Sequence, residues 1–313
     1  MIEYSLTRAD ILTAFVAFAA QSPRGRLPGA GIYGGPRQQV GFLVKSGMFL
    51  PGARRVWADD EGLHEQLDGV EQVFRWPAVE PTIDLGDFLA VPLAGLGADV
   101  PAFSAFALLI PRATPGLAEL RATLDARAAE VADFALPMPG EQKGADPLAE
   151  LEDDVLPEDY HVVNRASLRS PIGVRSLAIA VVAGLATGVV IGLVLASLSW
   201  FPFPAGVSAV FGAAVGALAF TGLVLVTMRL AARNLVDSGV YKIGPGAWWF
   251  DRERFSEEIG GRQYVVDWAK IDRIQQADGV AMLWLSPAFA ILVPCRDDRG
   301  RAFVAALERH LGR

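Results

Sequence analysis

From Ser176 to Met228 the chain runs for 53 residues without a charged side chain, bounded by Arg175 and Arg229. A helix needs about 20 apolar residues to cross a lipid core about 30 Å thick, so the run is long enough to cross twice. Its one interruption, Trp-Phe-Pro-Phe-Pro-Ala-Gly at 200–206, carries the breakers of a tight turn. The pattern predicts a transmembrane hairpin within 174–230, with helices over about 176–199 and 207–228.

The flanks orient it. Arg165, Arg169 and Arg175 precede the first span, Arg229 and Arg233 follow the second, and the connecting turn has no Lys or Arg. The positive-inside rule then places both termini in the cytoplasm, with the chain in a cytoplasmic membrane. Trp200, Phe201 and Phe203 stand where an interfacial aromatic anchor belongs. Neither span holds Asp, Glu, Lys, Arg or His. A carrier or proton relay needs polar groups at membrane depth, so the hairpin reads as an anchor with the lipid bilayer as first partner.

Small residues recur every four positions. The first span carries Ala180, Gly184, Gly188, Gly192 and Ala196; the second carries Ser208, Gly212 and Gly216. Such stripes let helix backbones approach closely. They serve either packing of the two spans on each other or a homo-oligomer through the first stripe.

Charge outside the hairpin is local. Between Gly140 and Asp159 eight acids face one base, Lys143, which accounts for the net charge of −7. With no basic field left over, a nucleic-acid partner is not expected. Residues 136–170, rich in Pro, Gly and acids, read as a solvated linker. Cys295 is the only cysteine and reads as a small apolar filler.

Ile11–Ala20 looks like a signal-peptide core, but Glu3, Arg8 and Asp10 stand where a basic start belongs. Thr7 and Asp10 have capping-box spacing, and Leu12, Phe15, Val16 and Ala19 share a helical face, which predicts an amphipathic helix.

The chain also repeats itself. Residues 57–79 align with 249–271 without a gap, matching Trp57 to Trp249, Asp59 to Asp251, Glu61 to Glu253, Glu65 to Glu257, Gly69 to Gly261 and Trp76 to Trp268. A second block, AFALLIP at 105–111, matches AFAILVP at 288–294, after a longer first-copy loop around 94–104. Asp68-Gly69 and Gly260-Gly261 are hairpin turns of the primed kind. Each copy reads as a small antiparallel sheet closed by a helix, near 115–133 or 298–311. The organisation expected is a first soluble copy over 1–135, the linker, the hairpin, and a second copy over 238–313. At the place of the hairpin the first copy has a Gly-rich segment, 27–52, too short and polar to span.

These residues resemble the YcxB-like proteins, bacterial membrane proteins of unknown activity. Tyr4-Ser5-Leu6-Thr7 matches the family's opening segment. Trp268-Ala269-Lys270-Ile271 and Leu292-Val293-Pro294 match its C-terminal domain, and Trp76-Pro77-Ala78-Val79 and Leu109-Ile110-Pro111-Arg112 show that domain again. The resemblance implies an α+β chain of two fused units, the first without its hairpin and the second with Cys295 where the family has a basic residue. The order of strands then helix is also like a pleckstrin-homology (PH) domain, by analogy. The family transfers no catalytic residue.

The search for chemistry returns little. His64, His161 and His310 stand outside metal-ligand spacing of one another and of Cys295. No phosphate-binding loop or nucleophile elbow is present. The acids Asp59, Asp60, Glu61, Asp251 and Glu253 fit a strand-end turn better than acid–base work. No catalytic residue, cofactor or metal is expected. Trp248, Trp249 and Phe250 must place an aromatic on each face of a strand, so they are the expected interaction surface for a protein or lipid head-group partner. The reading is a non-enzymatic, membrane-anchored protein presenting tandem cytoplasmic domains. The alternatives are an enzyme using a cleft between the copies, or a regulatory subunit of a larger membrane complex.

Overall fold

The computed structural model describes residues 1–21, 51–93, 107–130, 139–140, 147–168, 171–197, 204–237, 243–286 and 289–312. The segment 27–52, the loop 94–104 and the aromatic turn at 200–203 therefore lie wholly or largely outside the described residues. The chain divides into two units, Val163–Arg233 and the remainder, Met1–Val162 with Asn234–Arg313.

In the larger unit the first copy opens with strand β1 (Ile2–Leu6) and helix α1 (Arg8–Gln21). The helix starts where the capping box predicts: Asp10 Oδ2 accepts from the Thr7 backbone N–H at 2.8 Å and its hydroxyl at 2.7 Å, and Thr7 Oγ1 accepts from Asp10 N at 3.2 Å. Its buried face is Ile11, Ala14, Phe15 and Phe18, rotated by one position from the expected Leu12/Phe15/Val16/Ala19 stripe. Strands β2 (Gly52–Ala58), β3 (Gly62–Leu67) and β4 (Val70–Arg75) follow. Asp68 and Gly69 both have positive φ, 49° and 76°, which is the primed turn expected between β3 and β4. After a single turn at Trp76–Ala78 come β5 (Ile83–Asp84), β6 (Phe88–Pro92), β7 (Ala107–Pro111) and helix α2 (Leu117–Glu130).

The three-stranded sheet β5-β6-β7 is buried on both faces. One face packs Phe88, Ala90, Ala107 and Leu109 against α1. The other packs Leu89, Val91, Leu108 and Ile110 against Val56, Leu63 and Phe74 of the larger sheet and Leu117, Leu120 and Leu124 of α2. Burial on both sides explains why β6 and β7 read as continuous apolar runs instead of alternating.

The second copy repeats this plan and starts earlier than expected. Ala149–Val155 is strand β8 and Pro157–Leu168 is helix α3. The acidic stretch read as linker thus supplies the counterparts of β1 and α1. Leu151 and Val155 are buried while Glu150 and Asp154 point out, an alternation that an acid count conceals. Leu156 N–H donates to Asp159 Oδ2 at 2.8 Å, reproducing the Thr7–Asp10 cap at an offset of 149 positions. Then come β9 (Gly244–Phe250), β10 (Arg254–Ile259), β11 (Arg262–Asp267), a turn at Trp268–Lys270, β12 (Arg273–Ala277), β13 (Val280–Ser286), β14 (Phe289–Pro294) and the last helix, Asp298–His310. Gly260 and Gly261, at φ 54° and 70°, repeat the primed turn.

The copies do not build their larger sheets separately. Four strands of each join in one eight-stranded antiparallel sheet, ordered β1-β2-β3-β4-β11-β10-β9-β8. The seam pairs Val70 with Val266, Gln72 with Tyr264 and Phe74 with Arg262. Since positions correspond at an offset of 192 there, this register is symmetric about Gln72–Tyr264. Two further bonds obey the same symmetry: Arg75 N–H to Gly261 O at 2.9 Å and Asp267 N–H to Gly69 O at 3.1 Å.

Two helices make up most of the smaller unit: α4 (Pro171–Ser197) and α5 (Ala205–Asp237); the last helix of the chain is α6 (Asp298–His310).

Candidate functional site: a glycine-packed helix pair and a buried polar row

Helices α4 and α5 meet backbone to backbone. A Cβ added at Gly184 would stand 2.6 Å from the Gly216 carbonyl oxygen, and one at Gly188 would fall closer still to the Gly212 carbonyl oxygen. Gly192 meets Ser208 in the same way, and Gly212 and Gly216 return the contacts to Gly188 and Gly184. The glycine stripes of the two helices therefore face each other in antiparallel register. Of the two uses expected of the first stripe, the structure shows packing on the chain's own second helix. Ala180 and Ala196, at the ends of the first stripe, fall outside the described side chains.

Large side chains point the other way. Val182, Val190, Ile191, Val210, Phe211 and Leu218 are each more than half exposed, Leu218 by 76%. Sixteen of the twenty large exposed hydrophobics among the described residues lie between Val174 and Val226. Within this unit small residues are inside and large apolar ones outside. One helix window, Ala205–Leu223, is long and apolar enough to cross a membrane; in α4 the described apolar stretch is the shorter Val181–Val194.

The expected interaction surface is not a surface. Trp248 is fully buried, Phe250 is 2% exposed and Trp249 is 6% exposed. Phe250 packs edge-on against Trp268 and Phe303, at 5.6 and 5.5 Å between centroids. The three aromatics do alternate across the strand, as anticipated, but both faces of β9 are covered.

In place of that surface a row of side-by-side residues crosses all eight strands, Ile2, Val56, Glu65, Gln72, Tyr264, Glu257, Trp248 and Leu151, and it is polar over the five central strands from Glu65 to Trp248. Alternation puts these residues on one face, and the symmetry about Gln72–Tyr264 relates Glu65 to Glu257. Both glutamates are buried. Arg54, 6% exposed, forms an ion pair with Glu65. Trp248 Nε1 donates to Glu257 Oε1 at 3.1 Å. Burial pushes the Glu257 carboxyl up to about 8, against the pull of that bond and of the Arg262 charge. Arg262 bonds to Gln72 and lies over the Tyr264 ring at 4.4 Å. Burial likewise raises the Tyr4 hydroxyl, reinforced by Glu65 and opposed by Arg54.

The opposite face holds two more polar clusters. Arg75, 2% exposed, donates at 3.1 Å to Glu258, Gln263 and Glu61, and so ties the first copy to the second; Gly140 N–H donates to the other Glu258 oxygen at 2.9 Å. His64 stacks on Trp57 at 4.8 Å between Asp59 and Glu71, each 3.0 Å from a ring nitrogen. Burial alone would lower its pKa; the bonds and charges of Glu71 and Asp59 outweigh that and raise it.

The acids shared by the repeat are turn formers. Asp59 Oδ1 accepts from the N–H of Glu61 and Gly62, and Asp251 Oδ1 from those of Glu253 and Arg254. The indole N–H of Trp76 and Trp268 donates to the Asp59 and Asp251 carbonyls at 3.0 and 3.3 Å. This shared constellation explains why Trp and Asp recur at fixed spacing. Cys295 is buried, which raises its thiol pKa. His310 packs on Trp268, and His161 is exposed. Among the described residues no group of His, Cys, Asp or Glu could hold a metal ion.

Sequence reasoning missed the polar row. The Glu65–Glu257 match was the available signal, since an acid kept at one position of a buried strand in both copies needs a partner across the sheet. Comparison with protein-family models, with curated proteins and with solved structures finds no match to this chain.

Proposed function

We propose that this is a membrane-anchored, non-enzymatic protein whose paired α+β copies offer a binding platform at the cytoplasmic face of a bacterial inner membrane. The inside-out arrangement of α4 and α5 carries the reading. Water would meet a continuous aliphatic surface there, and soluble proteins rarely expose apolar patches beyond a few hundred Å². Lipid solvates such a surface, and in lipid helices associate through close backbone packing at small residues. The uncharged run from Ser176 to Met228 with arginines at both ends supports two spans and cytoplasmic termini.

Each copy adds a three-stranded sheet and a closing helix to its four strands of the shared sheet. That order supports a PH-like module of the YcxB-like kind, carried twice on one anchor. The anchor confines the pair to two dimensions, which raises its effective concentration toward any membrane-bound protein or head group.

The test is extraction and topology. The chain should stay with membranes in alkaline carbonate, and reporters fused to either end should read as cytoplasmic. Release by carbonate, or reporters on opposite sides, would overturn the proposal.

A further inference from the structure

The eight-stranded sheet ends on β1 at one edge and on β8 at the other. In an antiparallel ladder the backbone groups of successive residues turn to alternate sides. Asp251 N–H bonds Arg254 O at 3.0 Å, in step with the β9–β10 register, so the odd residues of β9 bond β10 and the even ones bond β8. Phe250, Trp248 and Gly246 face Ala149, Leu151 and Asp153, which turns the backbone of Asp154 outward. Asp59 N–H bonds Gly62 O at 3.1 Å, in step with the β2–β3 register, so the even residues of β2 bond Ile2, Tyr4 and Leu6. The backbone of Glu3 and of Ser5 then points away from the sheet.

The two edges are finished differently. Asp154 is capped on both of its backbone groups: its N–H donates to Asp153 Oδ1 at 2.7 Å, and Arg296 donates to its carbonyl at 3.0 Å. Arg296 also stands 3.5 Å from Asp153 and pairs with Asp159, which fixes the cap in place. Ser5 is the counterpart of Asp154 at the offset of 149 positions that relates the two helix caps, and Tyr4 stands in place of Asp153. Tyr4 packs its ring into the core, and the counterpart of Arg296 is Ala113. Glu3 and Ser5 are exposed, and the Glu3 carboxylate is turned sideways to Arg55 of β2 at 2.8 Å. Among the described residues no side chain bonds the outward N–H or C=O of Glu3 or Ser5. An open edge of this kind is a template for another strand.

We infer that β1 pairs antiparallel with β1 of a second molecule of this chain, joining two sheets across a two-fold axis at Tyr4. In that register Glu3 lies opposite Ser5 of the partner subunit, and each such pair exchanges both backbone bonds. The Ser5 hydroxyl donates to the facing Glu3 carboxylate, so the strand complements itself, as an isologous contact requires. Neighbouring registers are worse. One sets Glu3 against Glu3, and like charges directly opposite are destabilising. The other sets Glu3 against Thr7, whose N–H is already taken by Asp10. A capped β8 leaves each molecule one open edge, so pairing closes at a dimer instead of running on as a fibre. The inference rests on the membrane-anchored reading in one respect: an anchor holds the molecules on one side of one plane, which raises the effective concentration of β1 for its like.

The test uses the full chain, in membranes and in detergent. Full chains carrying Glu3→Cys, co-expressed with full chains carrying Ser5→Cys, should link to each other on oxidation, because facing residues of a bonded pair stand about 5.5 Å apart at Cα. Either variant expressed alone should stay unlinked, since its two cysteines are then more than about 7 Å apart. Cys295 is buried, and the unsubstituted chain is the control for it. Sedimentation in detergent measures the strength of the dimer. Ser5→Pro removes the outward N–H and leaves the β1–β2 bonds intact, so it should raise the dissociation constant at least about tenfold with the melting temperature of the monomer unchanged. Ser5→Glu, placed against Glu3 of the partner subunit, should weaken the dimer, and Ser5→Lys should tighten it. The detergent arm does not depend on anchoring, so release of the chain by carbonate and loss of the cross-link are separate failures. A chain that stays monomeric in both settings, one that is monomeric but takes up an unrelated extended peptide along β1, or a dimer equally strong in all three Ser5 variants would overturn the inference.

Discussion

Glu257→Gln removes one ionisable carboxyl from the middle of the sheet and keeps the oxygen that accepts from Trp248. The ordinary glutamate value is 4.5, and burial raises it here to about 8. Below 4.5 the carboxyl is neutral in both folded and unfolded chains, and residue 257 adds no pH dependence. Between 4.5 and about 8 the unfolded chain has ionised while the folded chain still holds the proton. Folding stability therefore falls as pH rises through that window, by about 1.4 kcal/mol per pH unit for one proton. Across the whole window the loss approaches about 5 kcal/mol, an upper limit because partial opening of the site relieves it. Glutamine has no such term. Subtracting the wild-type curve from the variant curve isolates the residue: the two should agree near pH 4.5 and diverge until the variant leads by at least about 2 kcal/mol at pH 8. Denaturant unfolding of both proteins in one detergent, from pH 4.5 to 8.5, measures this. Difference infrared spectra should show a protonated carboxyl at neutral pH that the variant lacks. Parallel stability curves, or a wild type more stable than the variant at pH 8, would refute a buried neutral acid at this position.

Arg75→Met leaves Glu258 buried without its guanidinium and should cost about 3–5 kcal/mol, while Arg75→Met with Glu258→Met should recover most of that loss in the same unfolding assay. Gly188→Ala sets a methyl group against the Gly212 carbonyl oxygen and should force α4 and α5 apart, at about 1–3 kcal/mol; Gly206→Ala, with nothing within 4 Å of its added carbon, is the matched control for thermal stability in detergent. His64→Gln should weaken the fold most at acid pH. The raised histidine contributes fully below about 6.5 and loses its contribution as pH climbs through its folded value, so the deficit of the variant should shrink toward alkaline pH.

How far the fold could be read in advance depended on how local its cause was. The primed turns at Asp68-Gly69 and Gly260-Gly261, the Thr7–Asp10 cap and the strand-end turns at Asp59 and Asp251 are set by residues within a few positions of each other, and they were legible. The helix-packing glycines were legible too, because close approach of two backbones leaves small residues at fixed spacing. Strand β8 was not. Its acids alternate with Leu151 and Val155, but their density reads as solvation until β9 is there to pair with it. The aromatics Trp248 to Phe250 were placed on a surface because alternation assigns them to opposite faces without saying that both are covered. The merging of two sheets into one lay beyond the sequence, since nothing in β4 or β11 alone marks it as a seam strand.

The seam is more than a joint between equivalent halves. If the second copy paired with another second copy through β11, symmetry would set Asp267 where Arg75 now stands, and Glu258 would face a carboxylate in place of a guanidinium. Inside a chain the two positions are free to differ. Arg75 and Glu258 have diverged into a buried pair that bonds at 3.1 Å, whereas their counterparts, Asp267 and Gln66, form no such pair. A buried charge stripped of its partner is costly, so the copy that carries the hairpin is disfavoured from joining its like by this edge and is directed to the first copy of its own chain.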